Sequence, residues 1–484
     1  MKMNVSDLVQ QARENVGRLD INELRQLGFI PRDGGYFPAV LYPPVTMYPP
    51  MGEDEFFRGY EASTLNRFVV YAHIPFCAKR CRFCHFVSFE GRPANEKDTY
   101  LDCIDTEMNL YLRRLNLEKI HAEAINIGGG TATCLSPRQL ERFLDSFTSR
   151  IDFESCEQFT YDVDVSTIIG NVGLERLKLL HTYGVDRITI GVQLLDDGIL
   201  KDMNRANRGD DVAEAISNAR NAGIDNICID LIYGYPGQTP ENWADTMNRV
   251  VELDIESFQL YRLRVKPHNQ MPGQIADRYL QSPGDFPQLE DVYVMKELGV
   301  MIANSAGMYD DYCTGMFSKS RRGVSEYIKK KFCRLYDVVG LGLSANNSLN
   351  GTIGIKTQDI KAYCDSINRG QIPLSKGKRC TTDDLLRRSV VGPLRNQFFV
   401  DKSFYKENTG LYVSDIFSNK IDALKAHGIM TEDNSKLFLT RRGHFFVDAS
   451  CIQFYHPDFI PFPESSYADG ILTPYNQEVL PVEG

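Results

Sequence analysis

The chain lacks several features that would place it elsewhere. No stretch approaches the 18 or more consecutive apolar residues that a membrane-spanning helix needs, so no membrane span is expected. The N-terminal stretch MKMNVSDLVQQARENVGRL is polar and amphipathic, without the apolar core of a signal peptide, and the protein is expected to be cytoplasmic. Positive charge is in deficit: 54 Lys and Arg stand against 64 Asp and Glu, a net charge of −10 that would repel phosphate backbones, so no nucleic-acid partner is expected. No internal repeat or low-complexity tract is present, and 43% hydrophobic with 24% charged residues is ordinary globular composition. At 484 residues there is room for about three domains, or one large domain with appendages.

Twelve cysteines over such a length, with no export signal, point to a reduced compartment rather than a disulfide framework. Nine stand singly and read as small buried hydrophobes. The other three, Cys77, Cys81 and Cys84, fall within eight residues in YAHIPFCAKRCRFC. Zinc usually takes four ligands, and no second CxxC or HxxxH pair completes such a set. Three thiolates instead suit a four-iron four-sulfur cluster with one iron left free of protein, a position that a molecule carrying amino and carboxylate groups can chelate. Lys79, Arg80 and Arg82 between the ligands are expected to favour thiolates.

Short apolar, β-branched runs recur at RFVVYA (67–72), AEAINI (122–127), 159–163, RITIGV (187–192), NICIDLI (226–232) and SFQLYRL (257–263). Helical periodicity fills the intervals, as in DDVAEAISNARNAG and ENWADTMNRVVELD. Six such βα units predict an α/β fold, a partial barrel with its chemistry at the C-terminal ends of the strands. The expected organisation is an N-terminal helix and proline-rich extension (1–67), the barrel (68–270), a barrel-completing, substrate-side segment (271–382) and a mostly helical, winged-helix-like C-terminal domain with a tail (383–484).

The CxxxCxxC loop after a first strand resembles the radical S-adenosylmethionine (SAM) superfamily. Its Tyr-x-His-Ile-Pro-Phe-Cys lead-in, Tyr71 to Cys77, resembles the HemN-like family of oxygen-independent coproporphyrinogen III dehydrogenases, most strongly over residues 68 to 265. That resemblance implies a partial (β/α)6 radical SAM barrel, a [4Fe–4S] cluster on the three cysteines, and one SAM or two. It implies SAM contacts at Tyr71, at Gly129, Gly130 and Thr131 of the glycine loop, and at Gln193, Arg205 and Asp230. Asp162 stands where family members usually carry a glutamate, one methylene longer. Tyr71 is the candidate catalytic side chain, whereas His73 and His85 are expected to be packing or hydrogen-bonding residues rather than ligands.

The reaction implied is reductive cleavage of SAM to a 5′-deoxyadenosyl radical that removes a hydrogen atom from a small-molecule substrate, with a reductant such as flavodoxin or ferredoxin as partner. Coproporphyrinogen dehydrogenases usually carry a further cysteine two residues after the third, where this chain has Phe86. The expectation is therefore HemN-like methyl or alkyl transfer to a conjugated or tetrapyrrole-like substrate. Oxidative decarboxylation of coproporphyrinogen III and a non-catalytic haem-binding or haem-delivery protein are the alternatives. The run Lys319 to Arg334, with seven basic residues, is a solvated face or a holder of substrate carboxylates.

Overall fold

The computed structural model describes residues 4–61, 66–265, 274–310, 313 and 315–477. The six apolar runs form six parallel strands: β1 (Phe68–Ile74), β2 (Ile120–Gly129), β3 (Phe159–Asp164), β4 (Arg187–Gln193), β5 (Asn226–Tyr233) and β6 (Ser257–Arg262). They lie side by side in chain order, with register pairs such as Ile74 with Gly129 and Gly191 with Asp230. Strands buried on both faces need near-continuous apolar runs, and β1 and β5 are buried at nearly every position.

Helices return the chain between strands. Two of them, Pro137–Ser149 and Pro240–Val251, begin with a Ser or Thr capping box and a proline in the first turn, which fixes where they start. The single tryptophan, Trp243, is fully buried on the second of these, and its indole N–H donates to the Met295 carbonyl at 2.7 Å.

The barrel stays open. Beyond β6 comes one antiparallel strand, β7 (Met316–Ser318). On the other flank β8 (Asp337–Leu341) pairs parallel with β1, and β9 (Asn346–Leu349), β10 (Thr352–Lys356) and β11 (Leu374–Arg379) extend the sheet antiparallel. Behind β1, Glu107 and Lys356 form a fully buried ion pair, and Glu107 also takes hydrogen bonds from the Gly342 amide and the Tyr363 hydroxyl. The C-terminal part contains a three-stranded antiparallel sheet (Phe399–Asp401, Lys436–Leu439, Met430–Glu432) with flanking helices such as Lys402–Thr409 and Ser418–Ala426. No helix among the described residues is long and apolar enough to cross a membrane.

Candidate functional site: a cysteine loop over the strand ends

The cysteine loop follows β1 and is tied down at several points. The Gly91 amide donates to the Cys77 carbonyl at 3.2 Å, and the Cys84 amide to the Cys81 carbonyl at 3.2 Å. The Asn204 side chain donates to the Arg80 carbonyl at 2.8 Å, and the Arg82 amide to the Met203 carbonyl at 3.1 Å. The Met203–Arg205 segment after β4 therefore holds the loop over the strand ends.

His73, buried in β1, links the loop to the barrel. Its Nε2 lies 3.0 Å from the Val87 carbonyl, which can only accept, so Nε2 carries the proton and Nδ1 accepts from the Tyr71 hydroxyl at 3.0 Å. Burial lowers His73 to about 4, which keeps the ring neutral in this role. His85 likewise donates through Nε2 to the Arg264 carbonyl at 2.9 Å. Both histidines are hydrogen-bonding residues, as expected from the sequence.

The glycine loop makes room for protein as well as for ligand. A methyl group at Gly130 would come within 2.9 Å of the Cys77 sulfur, and one at Gly129, where φ is +122°, within 2.9 Å of the His73 ring. At Gly128 it would collide with the Asp162 carboxylate. The Gly130 and Thr131 amides already donate to the Ile74 and Phe76 carbonyls at 2.9 and 2.7 Å. The Thr131 hydroxyl lies 3.6 Å from the Cys77 sulfur.

Arg205, with 6% of its side chain exposed, joins three features at once. It pairs with Asp164 at 2.8 Å, donates to the Gly191 carbonyl, and reaches the Cys81 sulfur at 3.5 Å. Gln193 sits at a bulge in β4 with φ +66°, a backbone state seldom kept without a reason in the surroundings. Inside the barrel, burial raises Asp162 to about 6 against hydrogen bonds from Asn126 and Thr189. Burial, with the nearby Asp162 charge, raises Asp230 to about 7, and its buried Oδ1 has no hydrogen-bond partner among the described residues. Two carboxylates raised in this way are a marker of a functional site.

The structure thus brings Tyr71, the cysteine loop, the glycine loop, Asp162, Gln193, Arg205 and Asp230 toward the C-terminal side of β1 to β5, and leaves the Lys319–Arg334 run elsewhere. It adds Asp164, Asn126, Thr189 and Asn204, polar neighbours that no motif marks. Burial pushes Cys77 up to about 12 and raises Cys84, while Arg80 acts on Cys84 in the expected thiolate-favouring direction. In the run from Lys319 to Arg334, Lys319 pairs with Asp254, Lys329 with Glu326, and Lys330 with Glu123 and Glu157. These contacts lie toward the opposite end of the barrel.

The donor set fits an iron–sulfur cluster. Its three loop cysteines are free thiols, the ligand type such a cluster takes. Residues able to hold SAM stand beside the loop on neighbouring strands, including a buried acceptor left without a donor in Asp230.

An open parallel barrel whose first strand runs into three thiols, with a glycine loop on the next strand packed against them, is the architecture of a radical SAM protein. The model of the radical SAM superfamily matches residues 71–250. Within it the chain is most like HemN-like proteins, and radical SAM proteins take a [4Fe–4S] cluster and SAM as cofactors. The haem chaperone HemW of Bacillus subtilis (strain 168) is 27% identical over 375 residues, 77% of this chain and 95% of that protein. The oxygen-independent coproporphyrinogen III oxidase of Escherichia coli (strain K12) is 25% identical over 419 residues, covering 83% and 88%. The solved structure of coproporphyrinogen III oxidase (HemN) from Escherichia coli superposes with a TM-score of 0.75 at 23% identity, covering 87% of this chain and 96% of that one. These relatives are oxidases and haem chaperones, so the expectation of methyl transfer gains no support from them.

Proposed function

We propose that the protein is a HemN-like radical SAM enzyme acting on a tetrapyrrole-class small molecule, with oxidative decarboxylation of coproporphyrinogen III as the reaction to test first. The observation that carries it is the approach of Arg205 to the loop thiol of Cys81, beside Gln193 and Asp230 on adjacent strands, Asp230 presenting a buried and unpartnered oxygen. A pure carrier has no use for this second set.

In this reading Cys77, Cys81 and Cys84 hold the cluster. When bound, the cluster and SAM supply one-electron cleavage chemistry that generates a hydrogen-abstracting radical. The chain's own contribution is placement and exclusion of water. Arg205, already fixed by Asp164, offers its guanidinium to a carboxylate. Asp230 accepts from a ligand hydroxyl or ammonium group, and Gly129 and Gly130 let the backbone approach. Tyr71 stays protonated, since burial and the Asp162 charge both raise it, and its hydroxyl is aimed by His73. A flavodoxin or ferredoxin would supply the electron.

Anaerobic incubation of the reconstituted, reduced protein with SAM and coproporphyrinogen III tests the proposal. Deoxyadenosine together with carbon dioxide is the expected result, and absence of both refutes it. A second reading, haem delivery, is favoured by Phe86, which is 64% exposed where the dehydrogenases usually carry a cysteine, and by the match over 95% of HemW. Stoichiometric haem binding, seen as a shifted absorbance band, without deoxyadenosine formation would select it.

A further inference from the structure

A second cavity lies along the flank of the barrel. β7 pairs with β6 only from Ser257 to Gln259, so the last three residues of β6 lack a strand on that side. The gap is closed instead by residues 30–37, the helix Leu289–Ser305 and residues 441–452, which leave a cavity of 180 Å³. That is below the roughly 300–1,000 Å³ of a site enclosing a whole drug-sized molecule, and fits one ring with one substituent.

The walls are aromatic and the charge is unbalanced. Arg262 lies 4.5 Å from the Tyr36 ring centre and 5.8 Å from that of Tyr293. Lys296 stands 4.7 Å from the Phe445 ring centre and donates to the Phe445 carbonyl at 2.5 Å. The other charges lining the cavity are matched: Arg395 with Asp448 at 2.7 Å, His444 with Asp310 at 3.1 Å, and Arg441 with Glu297 at 2.5 Å. Among the described residues no carboxylate is within ion-pair distance of Arg262 or Lys296. Half-buried cations without an anion are costly, and two of them line this cavity. Burial lowers Lys296 to about 8, against the weaker opposing pull of Asp448 and Asp310.

Tyr261 connects this cavity to the cysteine-loop site. It lines the cavity, is 42% exposed, and lies within the electrostatic reach of Asp230 and Asp162.

We propose that this cavity receives a carboxylate-bearing conjugated molecule, with the carboxylate between Arg262 and Lys296 and a ring among Tyr36, Tyr261 and Tyr293. It deepens the proposed function by assigning residues to substrate recognition, and rests on that reading only for the identity of the molecule that arrives.

Equilibrium binding to the full-length, cluster-loaded protein tests it, with coproporphyrin III and its tetramethyl ester as probes. The free acid is expected to bind at least about tenfold more tightly than the ester, the scale of one charge-assisted hydrogen bond. Arg262→Gln should erase that preference, Arg262→Lys should retain part of it, and SAM binding by both variants should match the parent. Equal affinity for acid and ester, no binding of the acid, or an undiminished preference in Arg262→Gln overturns the proposal. An intact preference in a protein that makes no deoxyadenosine would remove the enzymatic reading and leave the cavity assignment standing.

Discussion

The two ends of the barrel treat buried polar groups in opposite ways. At the N-terminal end the segment around Gly323 crosses beneath the strands and pairs most of their polar groups, the Asn226 Oδ1 excepted. Arg187 and the Ser257 hydroxyl donate to the Gly323 carbonyl, Asn226 to the Arg322 carbonyl and Gln158 to the Val324 carbonyl. Nearby Glu123 is held by Arg67 and Lys330, both at 2.8 Å, which lower its pKa despite burial. At the C-terminal end the balance is reversed. Asp162, Asp230, Cys77 and Cys84 are all raised by burial, and Asp230 keeps an oxygen without a donor. Polar groups that a fold needs for stability are paired within it, whereas those kept for a ligand stay unmatched until the ligand arrives. In parallel barrels that division follows the strand direction.

Substitutions at the two ends should therefore separate stability from binding. The largest effect is expected at the closed end. Lys330→Met removes one partner of Glu123 and should cost about 2–3 kcal/mol, less than the roughly 3–5 of a fully enclosed pair because Arg67 remains. Denaturant unfolding measures this, and SAM affinity of the folded fraction should not change.

At the open end Asp230→Asn should do the reverse. Losing one charged hydrogen-bond acceptor, worth about 1.5–3 kcal/mol, weakens SAM binding roughly 10- to 100-fold by calorimetry. The folded-state pKa of Asp230 lies above its usual 3.8, so its ionisation works against folding. That cost is absent below pH 3.8 and grows as pH rises toward about 7, so the asparagine variant should melt at a higher temperature than the parent at pH 8 and at the same temperature near pH 4. By the same titration, SAM binding by the parent should weaken as pH falls through about 7. Pairing Asp230→Asn with Lys330→Met in one chain sharpens the contrast, since the two effects should add.

The smallest effect is expected at Gly130→Ala. Its methyl group would press on the Cys77 sulfur and the Phe76 carbonyl, at 2.9 and 2.8 Å. Reconstituted iron content should fall partially rather than vanish, with the melting temperature little changed. A full iron complement would show that the cysteine strand can shift aside.

The barrel was legible because its physics is local. Continuous β-branched runs mark doubly covered strands, and all six begin and end within about two residues of the sequence expectation, the limit set by fraying element ends. The cysteine loop was legible because its ligand spacing lies within one short segment. The sheet beyond β8 was not: NNSL and LSKGKR show little apolar alternation, TIGIK is only five residues long, and pairing with neighbours from Asp337 to Arg379 defines them as strands. The partners of the basic run were hidden for a similar reason, since Asp254, Glu123 and Glu157 are distant in sequence. Asp164 escaped because its partner, Arg205, lies 41 residues away, brought near by the parallel pairing of β3 with β4.

What Cys77, Cys81 and Cys84 bind decides the chemistry of the site, and anaerobic reconstitution followed by iron and sulfide analysis and electron paramagnetic resonance with and without SAM measures it directly. About four irons and four sulfides per chain, a spectrum of the reduced protein that changes when SAM is added, and loss of both in Cys81→Ala are the predicted results. Tightly held zinc at these thiols, or an iron content that Cys81→Ala leaves intact, would contradict it.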